Sequence, residues 1–442
     1  MQEWLTMTAA DLGRGIDKGE IDPVALCRVY LDAIEAHPLK DRIYARVTAD
    51  RALAEAAAAA ERAATGHRLS PLDGVPISWK DLFDTAGTGT EAGSKLLEGR
   101  VPDRDARVLA NATAAGLVCL GKTHMSELAF SGLGHNPSTA TSPCVNDEGA
   151  VSGGSSSGAA ASVAFDLAAA AIGTDTGGSV RIPAAWNDLV GLKTTSGRLS
   201  LEGVVPLAKK FDTVGPLCRS VEDAGLLLAA LEGRRAPDLR HAELAGRKFA
   251  VLKTVALEDI RDAPRDAFTA AVDKLREAGA EIEEIEVPEV AQSMELATCL
   301  FTTEAYGLWK DVIEANPDRM YEEILMRFRL GKNHSGPDYV AAWEKLEKLR
   351  QGYLEATAGY DAVLAPTAPI LPPELARLEA EHDFYLSENL LALRNTRIGN
   401  LMGLAALTLP TDTPSCGLML LCPPHMEERV LRIGAAVEEA LA

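Results

Sequence analysis

Two glycine–serine runs lie in the middle of this chain of 442 residues, and apolar segments flank both. They are Gly153–Gly158, which reads GGSSSG, and Gly173–Arg181, which reads GTDTGGSVR. Such composition is typical of a flexible linker. However, Ala159–Phe165 continues the first run as a buried helical pattern, which indicates a shaped loop rather than a tether. Because glycine has no β-carbon, successive backbone N–H groups in such loops can point at one place.

The pattern around these runs predicts an α/β protein. Asp22-Pro23 is typical of a helix start, residues 49–65 are rich in alanine, and Val221–Glu232 and the segment from about Glu427 are also predicted helices. From residue 72 onward, short apolar segments alternate with helical ones, which favours a layered core. The predicted strands are Val75–Trp79, Leu117–Leu120, Ala168–Gly173, Lys248–Leu252, Glu281–Val287, Ala362–Ala365, Leu407–Pro410 and Leu418–Leu421.

We expect a single domain over residues 1–442. It would comprise N-terminal helices (1–70), a core that holds both glycine–serine runs (71–232), a variable and partly helical cap (about 290–390), and C-terminal strands with a helix (about 391–442). Residues 290–357 carry several aromatic side chains. They are either the core of a helical subdomain or a lid over a pocket, and both interpretations stay open.

Composition excludes several classes of protein. The formal net charge of −20 argues against a broad nucleic-acid-binding face, and no apolar run reaches the roughly 20 residues of a membrane span. The seven cysteines form no CxxC pair and the eight histidines no HExxH motif. We therefore expect no metal, no cofactor, and no nucleic-acid or membrane partner. Reduced thiols and an N-terminus without an apolar signal segment predict a cytoplasmic protein.

Ser179 is the best candidate nucleophile, because it follows Gly177-Gly178 in a loop of exposed N–H groups. The alternative is a tight turn whose serine merely caps a helix. A serine hydroxyl needs a base. Lys80 ends the apolar run Val75–Trp79, and burial there would lower its pKa and leave a neutral amine; the alternative is a solvated surface lysine. These groups together are the parts of acyl-transfer chemistry without histidine.

Gly153 through Ala184 resembles the amidase signature of serine hydrolases that use a Ser–cis-Ser–Lys triad. The match includes both glycine–serine runs and the spacing between Ser155 and Ser179, and Lys80 stands in a matching Pro76-x-x-x-Lys80-Asp81 context. The resemblance implies the amidase-signature fold, a large mixed and mostly parallel β-sheet flanked by helices on both faces, with a helical insertion. It extends through Gly121–Met125, Val190–Thr194 and Asp212–Leu217, weakens from about 233 to 390, and returns at Arg394–Pro410.

The resemblance also implies a role for each matching residue. Ser179 attacks the carbonyl, Ser155 relays its proton from a cis peptide bond after Gly154, and neutral Lys80 accepts that proton. The remaining roles are an oxyanion hole from Thr176, Gly177, Gly178 and Ser179, a bracing pair formed by Asp175 and Arg181, and support of the catalytic groups by Asp81 and Ser156.

The sequence indicates fewer residues of the substrate pocket than of the catalytic site. Ala129 and Ser131 are placed on the wall that faces the scissile carbonyl, with Ser156 as a further substrate-binding residue. Met125, Phe130 and Leu133 would add apolar contacts, or would simply pack in the core. The segment Ser131–Ala150 departs from the family pattern, and the aromatic side chains of 290–357 would admit bulky aryl or alkyl groups.

Three functions remain at this point. The first is a metal-independent serine amidase for small carboxamides, with carbamates and esters open to the same chemistry. The second is the glutaminase subunit of a tRNA-dependent amidotransferase. The third is a catalytically silent binding protein on the same fold. The expected partner is a small-molecule amide, and a homodimer is left open.

Overall fold

The computed structural model describes residues 2–442. Its centre is an eleven-stranded mixed sheet with the strand order β1-β3-β2-β6-β8-β7-β12-β13-β11-β9-β10, and β4 and β5 form a separate hairpin. The strands are β1 (Tyr44–Val47), β2 (Pro76–Lys80), β3 (Val118–Thr123), β4 (Pro143–Cys144), β5 (Asp147–Val151), β6 (Ala170–Asp175), β7 (Val190–Lys193), β8 (Thr213–Cys218), β9 (Lys248–Leu252), β10 (Glu281–Ile285), β11 (Ala362–Pro366), β12 (Ala405–Pro410) and β13 (Gly417–Cys422).

Helices cover this sheet and build the cap, which confirms the predicted α/β class. They are α1 (Ala9–Asp17), α2 (Pro23–Ala36), α3 (Lys40–Ile43), α4 (Ala49–Ala64), α5 (Arg107–Ala114), α6 (Ser157–Ala164), α7 (Arg181–Trp186), α8 (Val221–Glu232), α9 (Asp262–Glu277), α10 (Pro288–Met294), α11 (Ala297–Ala315), α12 (Glu322–Arg329), α13 (Gly336–Thr357), α14 (Leu375–Ala380), α15 (His382–Leu401) and α16 (Glu427–Leu441). Short 3₁₀ turns lie at Gln2–Thr6, Lys95–Leu97, Glu127–Ala129, Pro317–Arg319 and Leu330–Asn333.

Local sequence explains where these helices begin and end. The Asp22 carboxylate accepts a hydrogen bond from Ala25 N at 2.8 Å, and Pro23 occupies the first helical position of α2. Ser220 caps α8 in the same way, and Gly233 ends that helix with a left-handed φ of 67°. The predicted helix starts at 22–23 and 221 are thus confirmed.

Sheet register determines which side chains meet at the site. Parallel pairing joins β3, β2 and β6 on one flank and β11, β9 and β10 on the other, while the strands between them pair antiparallel. Trp79 of β2 is opposite Ile172 of β6. The carboxyl ends of β2 and β6 therefore lie side by side, and each leads directly into one of the predicted functional segments.

The cap helices α11 and α13 pack against the segment that precedes β8. The ring of Phe211 lies 5.0 Å from that of Trp343, in a stacked arrangement, and 4.3 Å from that of Phe301. Trp309 Nε1 donates to Pro206 O at 2.9 Å. Helix α15 runs across the predicted boundary near residue 390 and so connects the cap to the C-terminal strands. None of the helices within residues 2–442 is both long and apolar enough to cross a membrane.

Candidate active site

Lys80 is the last residue of β2, and its side chain is fully buried. Its Nζ lies 2.7 Å from Ser155 Oγ and 2.8 Å from Thr174 Oγ1. Burial lowers the pKa of Lys80 to about 7, against the opposing charges of Asp175 and Asp212. A large part of this amine is therefore uncharged at neutral pH and can accept a proton.

Ser155 lies in the loop between β5 and α6, after a cis peptide bond with Gly154. Ser155 O accepts a hydrogen bond from Ser126 N at 3.1 Å, and Ser156 N donates to Ser179 O at 3.2 Å. A β-carbon at Gly154 would come within 2.5 Å of Gly134 N, so this position accommodates only glycine. The contacts fix the first glycine–serine loop against the second and bring Ser155 next to the Ser179 segment.

Ser179 lines a cavity and does not cap a helix. Val180, not Ser179, occupies the N-cap position of α7, and no side-chain cap is present there. Among the described residues, no hydrogen bond joins Ser179 Oγ to Ser155 Oγ. Catalytic hydrogen bonds are often long or poorly aligned before substrate binds, so this geometry is compatible with a later contact.

A buried ion pair holds the Ser179 loop in shape. Asp175 at the end of β6 binds Arg181 with Oδ2 to Nε at 3.0 Å and Oδ1 to Nη2 at 2.9 Å, and both side chains are fully buried. Burial alone would raise the pKa of Asp175, but the charge and hydrogen bonds of Arg181 lower it to about 2. Arg181 also donates to Thr396 O at 2.8 Å and to Asn400 Oδ1 at 2.6 Å. The predicted pairing of Asp175 with Arg181 is present.

The N–H groups of this loop are not equivalent. Gly178 N donates to Asp175 Oδ1 at 2.9 Å, whereas Thr176 N, Gly177 N and Ser179 N have no acceptor among the described residues. Gly178 has a φ of +137°, and a β-carbon there would lie 2.1 Å from Thr396 Oγ1. This differs from the prediction that all four residues from Thr176 to Ser179 donate to an oxyanion, because the Gly178 donor is already engaged.

Removing the charge of Asp175 should therefore destabilise the protein strongly. We expect Asp175→Asn to lower the free energy of unfolding by about 3–5 kcal/mol, because it leaves the guanidinium of Arg181 buried without a counter-charge. Urea unfolding followed by circular dichroism measures this change. Asp11→Asn, which breaks a half-exposed surface pair with Arg14, is the control and should cost at most about 1 kcal/mol. Equal losses in the two variants would contradict the bracing role.

Two cavities meet beside Ser179. The inner cavity has a volume of about 30 Å³ and includes Ser179, Thr176 and Gly177 in its wall. The outer cavity has a volume of about 370 Å³ and is lined mainly by α11, α12 and α15. Both cavities share four lining residues, which are Phe130, Phe301, Arg327 and Arg397.

Some of the predicted pocket residues line a cavity, and others are buried in the core. Ala129, Ser131 and Phe130 line the inner cavity together with Ser179, whereas Met125 and Leu133 are fully buried and line neither cavity.

The two residues predicted to support the catalytic groups are buried and bound elsewhere. The Ser156 hydroxyl is 3.2 Å from Thr174 O, and Ser156 also lines neither cavity. Asp81 Oδ1 is 3.3 Å from Lys122 Nζ, and Asp81 Oδ2 accepts from Glu91 N at 3.2 Å. Asp81 therefore braces the turn after β2 and does not contact the Lys80 amine.

Sequence reasoning missed one anchor of the Ser179 loop. Asp212 Oδ1 accepts a hydrogen bond from Thr176 Oγ1 at 2.6 Å, and its carboxylate also accepts from Leu207 N and Ala208 N. The available signal was the resemblance over Asp212–Leu217, which by itself implies no role for this carboxylate.

One face of α15 was missed altogether. Tyr385, Asn389, Leu393 and Arg397 follow one another at intervals of one helical turn, and all four line a cavity. Asn389 Oδ1 accepts from Gly132 N at 2.8 Å, which ties this helix to the Ser131 segment. The available signal was the return of the resemblance at Arg394, within this helix.

The fold and the site define an enzyme that acts on C–N amide bonds. The chain belongs to the amidase family, whose model matches residues 25–431. It is 33% identical to a glutamyl-tRNA(Gln) amidotransferase subunit of Thermobifida fusca, over 100% of this chain and 97% of that protein. It is also 33% identical to 2-amino-5-chloromuconic acid deaminase of Comamonas testosteroni, over 98% and 96%. A crystal structure of an amidase superimposes with a TM-score of 0.88 at 30% identity and covers 99% of this chain and 100% of the other.

Proposed function

We propose that the protein is a metal-independent serine amidase that hydrolyses small carboxamides through an acyl-enzyme on Ser179. Ser155 is the proton relay and Lys80 is the base. The observation that carries this proposal is the buried Lys80 amine, whose pKa is lowered to about 7 and whose Nζ is 2.7 Å from Ser155 Oγ. Carbamates and esters present the same type of carbonyl to the nucleophile.

The proposed proton path uses the Lys80–Ser155 contact together with a hydrogen bond from Ser179 Oγ to Ser155 Oγ that forms when substrate binds. As Ser179 Oγ bonds to the carbonyl carbon, its proton passes to Ser155 Oγ while the Ser155 proton passes to Lys80 Nζ. The carbonyl oxygen gains the negative charge, and the N–H groups of Thr176, Gly177 and Ser179, which are unengaged among the described residues, stabilise it. The Lys80 ammonium then returns a proton through Ser155 to the leaving nitrogen, and the C–N bond breaks. Water attacks the ester by the same path, which releases the acid and restores Ser179.

Covalent labelling tests the nucleophile without knowledge of the substrate. A fluorophosphonate probe should label the native protein once, and peptide mass spectrometry should locate the adduct on Ser179. A label on any other serine, or no label, would overturn the assignment. A turnover screen then covers aliphatic amides, anilides, carbamates and glutamine, and the best leaving group describes the pocket.

The pH dependence should report Lys80. We expect kcat/KM for an uncharged amide to rise roughly tenfold per pH unit below pH 7 and to level off above it, because the protonated amine accepts no proton. Lys193→Met is the matched control: burial also lowers the pKa of Lys193 to about 7, but within residues 2–442 its amine bonds only to the carbonyl oxygens of Thr194 and Leu404. That variant should keep the native profile. A rate that falls as the pH rises through 7 would contradict Lys80 as the base.

The relatives favour a second candidate, the glutaminase subunit of a tRNA-dependent amidotransferase, because the Thermobifida fusca amidotransferase subunit is similar along its whole length. The deaminase from Comamonas testosteroni is equally similar and is named for a small acid, which supports the first candidate. Turnover limited to glutamine, and dependent on an added partner protein, would establish the second candidate. Turnover of other amides by the isolated chain would establish the first.

A further inference from the structure

Two arginines from different helices lie beside Ser179 without an acidic partner. Arg327 belongs to α12 and Arg397 to α15, and both line the inner cavity as well as the outer one. Within residues 2–442, neither guanidinium forms an ion pair or a hydrogen bond, and Arg327 Nη1 is shut off from solvent with no partner. Both side chains are half-buried in the cavity wall. Cations withdrawn from bulk water are usually paired, because leaving water without a counter-charge is costly.

The two charges also oppose each other. Burial lowers the pKa of Arg327 to about 10. Burial and the neighbouring charge of Arg327 lower the pKa of Arg397 to about 9. Both groups remain protonated at neutral pH, so the site holds two positive charges whose repulsion an entering anion would relieve.

Nearby acidic groups do not neutralise this pair. Glu323 lines the outer cavity, but its carboxylate is bound to His382. The lining of the inner cavity contains no carboxylate among the described residues. In the inner cavity, the α-ammonium of a glutamine molecule would therefore face two cations and no carboxylate of the described lining.

Both arginines are held close to the reacting carbonyl. Thr396 Oγ1 donates to Gly177 O at 2.8 Å, which fixes α15 to the Ser179 loop. A β-carbon at Gly177 would lie 3.8 Å from Arg397 Cγ, so the stem of this arginine lies along the loop that would bind the oxyanion. The guanidinium of Arg327 lies 4.7 Å from the ring centre of Phe130, over its face. An anion bound here is within the length of a small molecule from Ser179.

We propose that Arg327 and Arg397 bind a carboxylate of the substrate, and that the preferred substrates are small amides whose acyl part ends in a carboxylate. The planar guanidinium donates two parallel hydrogen bonds to a carboxylate, which sets the orientation of the acyl chain. This inference rests on the proposed function and names the substrate class of the same site.

Protection from covalent labelling tests the inference separately from the proposed function. Labelling of Ser179 by a fluorophosphonate shows that the nucleophile is active, whatever the substrate. Malonate, succinate or glutarate should protect Ser179 from labelling at concentrations about 10- to 100-fold lower than the corresponding diamides require, as expected for hydrogen bonds to charged groups. Equal protection by diacids and diamides, or no protection by any diacid, would overturn the inference while leaving the nucleophile established.

Turnover and matched variants give the second readout. The monoamides malonamate, succinamate and glutaramate should exceed the corresponding diamides in kcat/KM by about 10- to 100-fold for the best chain length. Arg397→Gln and Arg327→Gln should each remove most of this preference and retain labelling by the probe. Arg394→Gln is the control, because Arg394 lies one turn earlier on α15, bonds to Asn395 Oδ1 at 3.2 Å and lines neither cavity. A preference for monoamides that survives both cavity variants would also overturn the inference.

Discussion

Replacing Ser179 by alanine is expected to lower amide turnover by about a million-fold, while the fold and the substrate affinity persist. The change removes the atom that forms the acyl-enzyme, and loss of the nucleophile has an effect of this order in serine hydrolases. Ser179 lines the inner cavity, and no side-chain hydrogen bond from it supports the fold among the described residues. Steady-state kinetics and thermal unfolding of the two proteins measure the effect.

Ser200→Ala is the control for this experiment, because Ser200 is exposed and lies outside both cavities of the site. It should keep native turnover and one fluorophosphonate label. Turnover by Ser179→Ala within about tenfold of the native rate would show that another group attacks the carbonyl.

Lys80→Met should lower turnover by about 100- to 10,000-fold, the usual contribution of a positioned general base. The methionine side chain keeps much of the volume of the lysine stem and removes the amine. Thr174 Oγ1 and Ser155 Oγ each lose a partner, so thermal unfolding is measured alongside turnover. Labelling of Ser179 should slow in parallel, because the same base activates the nucleophile.

A double variant tests whether Lys80 and Ser155 act as one relay. Ser155→Ala alone should cost about as much as Lys80→Met, and the double variant little more than either, because residues that act as a unit are strongly non-additive. Independent, multiplying losses would mean that the two residues serve Ser179 separately. Native turnover in either single variant would contradict the proposed proton path.

Local patterns predicted much of the sheet but not the strands that break the usual rules. Val75–Trp79 and Ala168–Gly173 are short apolar runs and form β2 and β6, shifted by one and by two residues respectively. Strand β8 contains Gly215-Pro216, which local preference assigns to turns. The structure needs that glycine, because a β-carbon at Gly215 would lie 1.9 Å from Leu192 O. Close packing between strands therefore overrides the local preference, and no local pattern reveals it.

In the site, too, local sequence predicts some residues, while others are recognised only from the three-dimensional packing. Lys80, Ser155 and Ser179 carry local signatures, and the structure brings their segments together. Arg327 and Arg397 carry none, because their importance depends on the absence of a partner in three dimensions. Helix α15 was not predicted since it buries polar groups such as Asn389 and Asn395 and therefore lacks a clear apolar stripe. The engagement of the Gly178 N–H likewise depends on the final position of Asp175.

The bonds from Arg181 to Thr396 and Asn400 have a consequence for biosynthesis. A ribosome that has completed β8 has already made Lys80, Ser155 and Ser179. The helix that supports the Ser179 loop and supplies Arg397 is made only about 180 residues later. Contacts over such sequence distances form late, because closing the intervening chain costs entropy before any contact repays it. The nascent chain thus stays without a finished reaction centre until α15 has emerged and packed against the Ser179 loop.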